Sequence, residues 1–546
     1  MRSLLPGVAG ALLVTFAASW LSAHDHTAHL AERARQISLA AAARFAQPAP
    51  LPGDGQKTCR LTVEMMLEGE PAAIAGLLRV TSLASGKAIV FRDEILREQN
   101  WHALAPSTVL TVPREKLKIE ALQGIETKLF TQEIDLAGKA TETLQIKLQR
   151  LDHPARRGLV AGNTHLHLMK LTFAEADRYL RVVPRADGLQ LVFLSHLRRI
   201  PDERDYISNT FTEGDLGRLS RGGVLFGNGQ EHRHNFGPGG EGFGHVMLLN
   251  ILKLIEPVSI GPGIMREGTD GIPLQRGIRQ ARGDGATVIW CHNTFGHEDL
   301  PNWVAGELHA QNIHDGGEHG TYEDTFYRYL NVGMKVPFST GTDWFIYDFS
   351  RVYVPIEGEV TAAGWLQQLT AGKTFITNGP LLEFSAGGKA IGETIAATGG
   401  EEIEISGRAI GRGNFRRLEL IHNGQVIHAA TATAADGTHA ATLKHRLALS
   451  EPGWLALRIA GDAENNEFGK PLFAHTSPIY VTVAGRSAFQ VEVAGEMLAE
   501  MGQSREFVAK TAKFGDVGER TAVLRVYDEA LAAWRKRIDS AHLPPR

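Results

Sequence analysis

The chain has 546 residues, which at the usual size of about 150 residues per domain allows three or four domains with ample core. Its 57 basic and 61 acidic residues nearly balance and are interspersed, which excludes the basic footprint typical of nucleic-acid-binding proteins. Only two cysteines occur, Cys59 and Cys291, so the fold does not depend on a disulfide framework. They fall in different predicted domains, and the sequence leaves open whether they pair.

The amino terminus has the composition of a secretory leader. Arg2 precedes an apolar stretch at residues 4–20 and the small residues Ser22 and Ala23, which predicts a signal peptide over 1–23. An uncleaved membrane anchor is the alternative, because the stretch approaches the length that spans a bilayer. We expect a periplasmic or secreted protein without a transmembrane span after cleavage, since no later segment is long and apolar enough.

The predicted segments that flank the centre of the chain are helical or rich in short strands. An alanine-rich helical segment and a Pro-Gly linker occupy 24–57. Short alternating strands separated by turns predict β-sandwiches at 58–151 and 398–485. The tail, 486–546, has helical periodicity with mixed charge. We expect the tail to pack against the body, with a homodimer contact as the alternative.

Strands alternate with helices between residues 158 and 385. The strands are continuous apolar runs, such as 286–290, of the kind buried on both faces of a parallel sheet. This alternation closes most economically as an α/β barrel, whose functional groups gather at the carboxyl ends of the strands. The predicted fold is therefore multidomain α/β plus β: a distorted α/β barrel flanked by an N-terminal and a C-terminal β-sandwich, with a C-terminal helical tail.

Residue types that bind metals stand at the ends of the predicted strands. His165 and His167 are two residues apart, so on a strand both imidazoles point to the same face. Imidazoles combined with one or two carboxylates suit a borderline divalent ion such as Zn²⁺ or Mn²⁺. We expect one or two divalent metal ions (Zn or Mn) per chain. The candidate ligands at the strand ends are His165, His167, His196, Glu231, His245, His292 and Asp343, and for His196 a direct metal contact and a role beside the ligands are both open.

Two residues near these ligands have other interpretations. Asp343 has an alternative role as a helix cap after Gly341. Cys291 precedes a predicted ligand directly, and we expect it to face away because neighbouring residues on a strand point to opposite faces.

Two loops are predicted beside the site. The glycine-rich segment 235–244 is interpreted as a rim that lets Glu231 and His245 approach one ion. The polar segment 307–324 predicts a loop over the barrel mouth. An accessory metal site in that segment, with His309, His314 and His319, is the alternative.

The sequence favours water over a side chain as the nucleophile. It lacks a Gly-x-Ser-x-Gly elbow between a strand and a helix, and a divalent ion lowers the pKa of bound water to about 7. His196 ends a predicted strand and is the expected catalytic proton shuttle, since imidazole titrates near neutral pH. Arg351, which could clamp an anionic group, and His297 are the expected substrate contacts.

The order of the motifs resembles the polymerase and histidinol phosphatase (PHP) superfamily of metallohydrolases. The downstream stretches Arg351-Val-Tyr-Val, 371–382 and 474–481 look like its CehA/McbA branch, named for carbaryl hydrolase. The resemblance covers most of residues 158–485. The motifs that carry it are Gly162-Asn-Thr-His165-Leu-His167, Ser195-His196, Gln230-Glu231, Gly244-His245, His292 and Ser339-Thr-Gly-Thr-Asp343.

That resemblance implies a PHP-type distorted barrel and an assignment of ligands. His165, His167, Glu231 and Asp343 would hold one ion, and Glu231 would bridge to a second ion held by two further histidines, His245 and His292. Where the family often has an aspartate and a histidine, this chain has Ser195 and Phe345, so a third ion is not expected.

The expected activity is that of a secreted hydrolase. Metal-bound hydroxide would attack an ester, amide or carbamate carbonyl of a small-molecule substrate. A PHP-type phosphoesterase and a non-catalytic secreted binding module are the alternatives.

Overall fold

The computed structural model describes residues 57–151, 158–200, 206–236, 242–293, 296–316 and 321–541. The predicted leader, 1–23, and all of the predicted segment 24–57 except Lys57 lie outside these residues. The described residues form a multidomain mixed α/β protein with a curled central sheet and helices at the carboxyl end. Among the described helices, none is long and apolar enough to cross a membrane.

The N-terminal β region consists of two sheets around a shared apolar core. Its strands are β1 (Thr58–Leu67), β2 (Ala73–Ile74), β3 (Gly76–Ser82), β4 (Ile95–Leu96), β5 (His102–Leu104), β6 (Thr108–Pro113), β7 (Lys116–Leu122), β8 (Phe130–Asp135) and β9 (Thr141–Leu148). One sheet has the order β2-β1-β6 with β9 beside β1, and the other has the order β4-β5-β3-β7-β8. Leu61 of the first sheet and Ile119 of the second are fully buried in the common core. Each sheet therefore has one face on the core.

The central region contributes a long curled sheet. Its strands are β10 (Leu159–His167), β11 (Leu191–His196), β12 (Leu225–His234), β13 (Gly244–Leu249), β14 (Ser259–Ile260), β15 (Thr287–Trp290), β16 (Ala310–Asn312), β17 (Phe338–Ser339), β18 (Asp343–Trp344), β19 (Arg351–Pro355) and β20 (Phe375–Thr377). β10, β11 and β12 run parallel, and β18 lies parallel along β10 as well. Because the late strand β18 pairs with the first strand of the region, the sheet curls and brings distant strand ends together.

Two strands of the curled sheet run against the predicted parallel direction. β13 is antiparallel to β12 and β15, and β19 is antiparallel to β10. His245 was predicted to end a strand, but it lies near the start of β13, opposite Arg233 of β12. The reversal explains why His245 still reaches the site, since the start of an antiparallel strand meets the end of its neighbour.

The C-terminal β region shares the curled sheet with the central region. Its strands are β21 (Leu381–Ala386), β22 (Lys389–Ala390), β23 (Thr394–Ala397), β24 (Glu401–Gly411), β25 (Arg417–His422), β26 (Gln425–Thr431), β27 (Thr433–Ala435), β28 (Thr438–Leu449), β29 (Gly453–Ile459), β30 (Ala474–Thr476) and β31 (Ile479–Val483). β20 pairs with β30, so the predicted boundary between 385 and 398 is not a break in hydrogen bonding. A separate five-stranded sheet has the order β22-β21-β24-β28-β27.

The helices cover the central sheet, and the last two form an antiparallel hairpin on the body of the protein. Trp534 in the last helix is buried and donates a hydrogen bond to the carbonyl of Ala494 at 2.9 Å. Arg328 also forms an ion pair with Glu500 across this contact. The tail therefore packs against the body, the arrangement preferred from sequence. The α-helices are α1 (Phe173–Ala186), α2 (Glu213–Ser220), α3 (Pro262–Met265), α4 (Leu274–Gly283), α5 (Asp299–Val304), α6 (Arg328–Asn331), α7 (Ala362–Thr370), α8 (Val491–Thr511) and α9 (Val517–Ala541).

The two cysteines do not pair. Cys59 and Cys291 are both free thiols, and each is fully buried in a different apolar cluster. The sequence left open whether the two cysteines form a disulfide, and their positions in different clusters show that they do not.

A buried ion pair joins the N-terminal β region to the central region. Arg97 donates to both carboxylate oxygens of Asp187, at 2.7 and 2.9 Å, and also to the carbonyl of Ile346. The Arg97 and Asp187 side chains are 4% and 0% exposed. Removing one partner of such a pair destabilises the protein, because the remaining charge is left buried without compensation.

We expect Arg97→Met to lower the free energy of unfolding by about 3 kcal/mol. Urea denaturation followed by fluorescence measures the change. Arg178→Met removes a more exposed pair with Glu94 and should cost less than about 1 kcal/mol. Equal losses in the two variants would contradict this account of the Arg97 pair.

Candidate metal centre

Six buried side chains converge where the strands of the curled sheet end. Their donor atoms form two groups that share Glu231, and within each group all atoms lie within 4.8 Å of one another. None of the six residues is more than 1% exposed. These are the six residues predicted from the sequence, arranged in the two sets that the resemblance implied. The first group is His165, His167, Glu231 and Asp343, and the second is Glu231, His245 and His292.

The first group is built on the end of β10. The Nε2 atoms of His165 and His167 lie 3.2 Å apart, because residues two apart on a strand share a face. Oε2 of Glu231 lies 3.0 Å from Nε2 of His167, and Oδ1 of Asp343 lies 3.3 Å from Nε2 of His165. Two nitrogens and two carboxylate oxygens thus face a common centre.

The second group lies on the other side of Glu231. Nδ1 of His245 is 3.2 Å from Oε1 of Glu231. Nε2 of His292 is 3.9 Å from the same oxygen and 4.0 Å from Oδ2 of Asp343. Glu231 therefore presents one oxygen to each group, which is the arrangement of a bridging carboxylate.

Each imidazole is held by a hydrogen bond on the nitrogen that faces away from the cluster. Because carbonyl and carboxylate oxygens only accept, these outer nitrogens donate, and the inner nitrogens carry lone pairs. This pattern is typical of histidines that bind metals. The four contacts are His165 Nδ1 to Asp315 Oδ2 at 2.8 Å, His167 Nδ1 to the Ser195 carbonyl at 2.9 Å, His292 Nδ1 to the Asp315 carbonyl at 3.1 Å, and His245 Nε2 to Asn235 Oδ1 at 2.9 Å.

The cluster fits a divalent cation better than it fits any set of internal hydrogen bonds. Among the described residues, neither carboxylate oxygen of Glu231 has a hydrogen-bond partner of normal geometry, although both oxygens are buried. Inward lone pairs on His165 and His167 at 3.2 Å also repel each other unless a proton or a metal ion lies between them. Nitrogen and carboxylate donors in this ratio match Zn²⁺ or Mn²⁺.

The electrostatics of the cluster favour bound positive charge. Burial raises the pKa of Glu231, but the neighbouring Arg233 and the imidazoles outweigh it and hold that pKa well below its usual range. Burial lowers the pKa of His165, but the carboxylate of Asp343 outweighs it and raises that pKa well above the ordinary value. The carboxylate therefore stays ionised, and without a cation the cluster attracts protons instead. A metal ion would displace those protons on binding.

Backbone strain accompanies the two ligands from late in the region. His292 and Asp343 adopt left-handed conformations with φ of 58° and 56°. Such conformations cost on the order of 1 kcal/mol for residues other than glycine and often mark functional sites. Gly316 packs against Asp343 so closely that a Cβ atom there would lie 2.7 Å from Oδ2. Asp343 lies in the short strand β18, so the alternative role as a helix cap is wrong.

Asp315 is part of the site and was missed in the sequence. Its side chain accepts hydrogen bonds from His165 Nδ1 and from the backbone N–H of His292, which is 3.1 Å from Oδ1. Burial raises its pKa, but the two imidazoles outweigh it and hold the carboxylate ionised. Asp315 comes three residues after β16 and could have been found from that position, but it stands in a polar segment interpreted as a loop.

We expect Asp315→Asn to weaken metal binding by about 10- to 100-fold, because it loses the charge that orients two ligand histidines. Competition with a chromogenic chelator measures the affinity. Asp324→Asn removes an exposed acid from the same segment and should leave the affinity unchanged. The expected role of Asp315 fails if the two variants bind metal equally well.

Cys291 was expected to face away from the site, and this is wrong. Its thiol lies in a third group of mutually close donor atoms with His165 and Asp315. β15 ends at Trp290, so strand alternation no longer governs the direction of the next side chains. Burial raises the pKa of the thiol to about 12, which keeps Cys291 neutral behind the cluster.

The structure does not bring the predicted catalytic residue His196 into the cluster. Leu166 pairs with Leu194 in parallel strands, and both lie in the core on the face opposite the imidazoles. His196 follows Leu194 by two residues and takes the same face. It joins none of the donor groups among the described residues.

The two predicted substrate contacts, His297 and Arg351, join none of the donor groups among the described residues. Nδ1 of His297 is 3.3 Å from the hydroxyl of Ser504, and its ring lies 4.8 Å from that of Phe507 in α8. Arg351 begins β19 and lines a separate cavity at the other end of β10. Of the histidines in the alternative accessory site, His309 and His314 join no donor group among the described residues, and His319 lies outside them.

Arg233 and an aromatic wall border the cluster and were not predicted. Nη1 of Arg233 is 3.3 Å from Oε1 of Glu231. The ring of Trp344 lies 5.3 Å from that of His167, and Tyr206 lies 5.5 Å from Trp344. Arg233 follows Glu231 by two residues on β12, so the same alternation rule that found the histidines could have found it.

Comparisons of the chain with protein-family models, with curated proteins and with solved structures each gave no match. The geometry of the site therefore carries the functional argument.

Proposed function

We propose that the protein is a metal-dependent hydrolase that cleaves an ester, amide or carbamate bond of a small molecule. The observation that carries this proposal is the pair of adjacent donor groups that share Glu231. When bound there, a divalent ion would supply Lewis acidity, since it lowers the pKa of water and polarises a carbonyl or phosphoryl oxygen. The ligands of the first ion would be His165, His167, Glu231 and Asp343, and those of a second would be Glu231, His245 and His292.

The other residues of the site suit the same reaction. Arg233 is buried beside Glu231 and would stabilise negative charge that develops on the oxygen of the substrate. Trp344 and Tyr206 offer apolar ring faces next to His167, where the apolar part of a substrate would pack.

The finer fold assignment belongs to the same proposal. A PHP-type distorted barrel flanked by β-sandwiches, in the CehA/McbA branch, would explain why ligands from β10, β12, β13 and the later strand ends meet at one edge of the curled sheet. The predicted leader would place the enzyme in the periplasm or outside the cell, where buried free thiols are protected from oxidation.

Carbonyl chemistry is placed before phosphoester chemistry because of the charges at the site. Among the described residues, Arg233 is the arginine that forms an ion pair with a member of the cluster, and phosphoryl transfer usually employs several such cations. A phosphoesterase is the second candidate, favoured by the bridged pair of donor groups, which is the general arrangement of two-metal phosphatases.

The test is hydrolysis of matched aryl acetates, anilides, carbamates and aryl phosphates after loading with Mn²⁺ or Zn²⁺. We expect turnover of at least one carbonyl substrate, with loss of activity after EDTA treatment and recovery on adding the ion. Turnover of the phosphates alone would reverse the ordering of the two reactions. Fewer than about one bound ion per chain after loading would favour the non-catalytic binding module instead.

A further inference from the structure

A second cavity lies between the N-terminal β region and the central region, far from the metal centre. Its volume is about 550 Å³, which is within the range of small-molecule sites. It is lined by Leu159, Gln190 and Val224, which lie at or next to the starts of β10, β11 and β12. The ligands His165 and His167 lie at the opposite end of β10, roughly 20 Å or more along the strand from Leu159.

The buried guanidinium of Arg351 lines this cavity. Arg351 is 1% exposed, and its Nε donates to the carbonyl of Phe349 at 2.8 Å. Among the described residues, neither terminal nitrogen has a hydrogen-bond partner of normal geometry, although the hydroxyl of Tyr353 lies nearby. A buried charged donor without an acceptor raises the free energy of the folded protein, so an anion bound beside this group would stabilise it.

The carboxylates nearest to Arg351 are already engaged. Asp187 receives both terminal nitrogens of Arg97. Glu126, the acidic residue that lines the cavity, accepts a hydrogen bond at 2.8 Å from the hydroxyl of Tyr353. Neither forms an ion pair with Arg351 within 4.0 Å, so neither of these two described carboxylates neutralises its charge.

The cavity carries an excess of positive charge. Arg150 and Arg185 line it together with Arg351, against the single acid Glu126. Arg150 is paired with Glu70, whereas Arg185 has no ion pair among the described residues. Gly222 makes room for Arg185, since a Cβ atom there would lie 1.8 Å from Nη2.

The remaining lining indicates the class of anion. Leu67, Ile74 and Leu189 supply apolar surface around the charged end of the cavity. The terminal nitrogens of the buried Arg351 guanidinium present two parallel N–H groups, which match a planar carboxylate.

We propose that this cavity binds a small organic carboxylate with an apolar body, held by the buried guanidinium of Arg351. The carboxylate oxygens would accept from both terminal nitrogens, and the apolar body would lie between the two regions of the protein. Arg351 was expected to clamp an anionic substrate at the metal site, and the structure moves that role to a separate site. The proposal does not depend on the hydrolase activity.

Isothermal titration calorimetry of the full-length protein with phenylacetate and hexanoate tests the proposal. We expect a dissociation constant below about 1 mM for at least one of them, and binding of neutral phenylacetamide that is at least about tenfold weaker than that of phenylacetate. Equal affinity for phenylacetate and phenylacetamide would overturn the proposal, as would no binding of either carboxylate. Binding of inorganic phosphate alone would overturn the assignment to organic carboxylates.

Variants locate the binding. Arg351→Met should weaken it by at least about tenfold, while Arg150→Met, which removes an arginine already paired with Glu70, should change it by less than about threefold. Ala73→Trp adds a large side chain at an exposed position of the lining and should block binding without touching Arg351. Unchanged binding in both Arg351→Met and Ala73→Trp overturns the proposal, and Ala73→Trp decides if Arg351→Met does not fold. Asp343→Asn should bind phenylacetate as the wild type does, which separates this site from the metal centre.

Discussion

Replacing Asp343 by asparagine is expected to reduce kcat/KM by about 10³-fold or more and to lower the metal content of the purified protein. Asp343 contributes a carboxylate oxygen 3.3 Å from Nε2 of His165 and, on its other side, faces His292. The substitution keeps the shape of the side chain but removes the negative charge that offsets the charge of the ion. Elemental analysis of the metal-loaded protein and steady-state kinetics on the best substrate of the panel measure both effects.

A matched variant separates metal loss from misfolding. Asp348 is a buried aspartate five residues later that accepts hydrogen bonds from Ser350, Asn378 and Asn466 and belongs to none of the donor groups. Asp348→Asn should lower stability but keep the metal stoichiometry. Full metal content and activity in Asp343→Asn would refute the ligand assignment.

The stability of the protein is expected to fall as the pH rises, because of a buried acid at the start of α5. Asp299 is 5% exposed, and burial raises its pKa from 3.8 to about 8 despite the hydrogen bond from the hydroxyl of Tyr329. Its Oδ1 has no hydrogen-bond partner among the described residues. Because the folded-state pKa lies above the unfolded value, the protonated acid stabilises the fold fully below pH 3.8, and that contribution is lost as the pH rises through about 8.

Asp299→Asn is expected to remove the contribution of Asp299 to this pH dependence, whereas Glu298, whose pKa burial raises to about 7, keeps its own contribution. The free energy of unfolding of the variant minus that of the wild type should increase by about 4 kcal/mol between pH 5 and pH 9. The reason is that about three pH units of this interval lie below the folded-state pKa of Asp299. Urea denaturation at the two pH values measures it.

Two controls accompany this experiment. Glu359→Gln removes an exposed loop carboxylate and should show no such gain. Tyr329→Phe removes the hydrogen bond but keeps the acid, so the pH dependence should persist or increase. A parallel pH profile for Asp299→Asn and the wild type would refute the prediction.

The sequence predicted the ligands well because each could be inferred from local rules. The i, i+2 spacing of His165 and His167 places both rings on one face of any strand. Glu231 and His292 follow apolar runs, and in a curled sheet such positions meet at one edge. The expectations that failed depended on direction rather than on residue type. His196 points to the same face of the sheet as Leu194, away from the imidazoles. Cys291 follows the end of β15, so the alternation of side chains along a strand does not set its direction.

Asp315 and Arg351 show the limit of local rules most clearly. Asp315 looks like part of a polar loop, and its role emerges only from the proximity of His165 and His292, which come from two other strand ends. Arg351 looks like an anion clamp in the sequence and is buried in the structure, but its guanidinium lines a cavity with Leu159 and Gly188 and joins none of the donor groups. That position depends on the register of β19 on β10, which places Val352 opposite Gly162.

The sequence by itself determined the alternation of strands and helices, the helical tail and the residue types of a divalent metal site, because hydrophobic period and ligand chemistry are local properties. The tertiary structure alone decided which face each side chain takes, which strands run antiparallel and which buried charges find partners. Those outcomes depend on contacts between residues far apart in the chain. The direction and register of strand pairing cannot be read from the spacing of nearby residues, because both are set by those distant contacts.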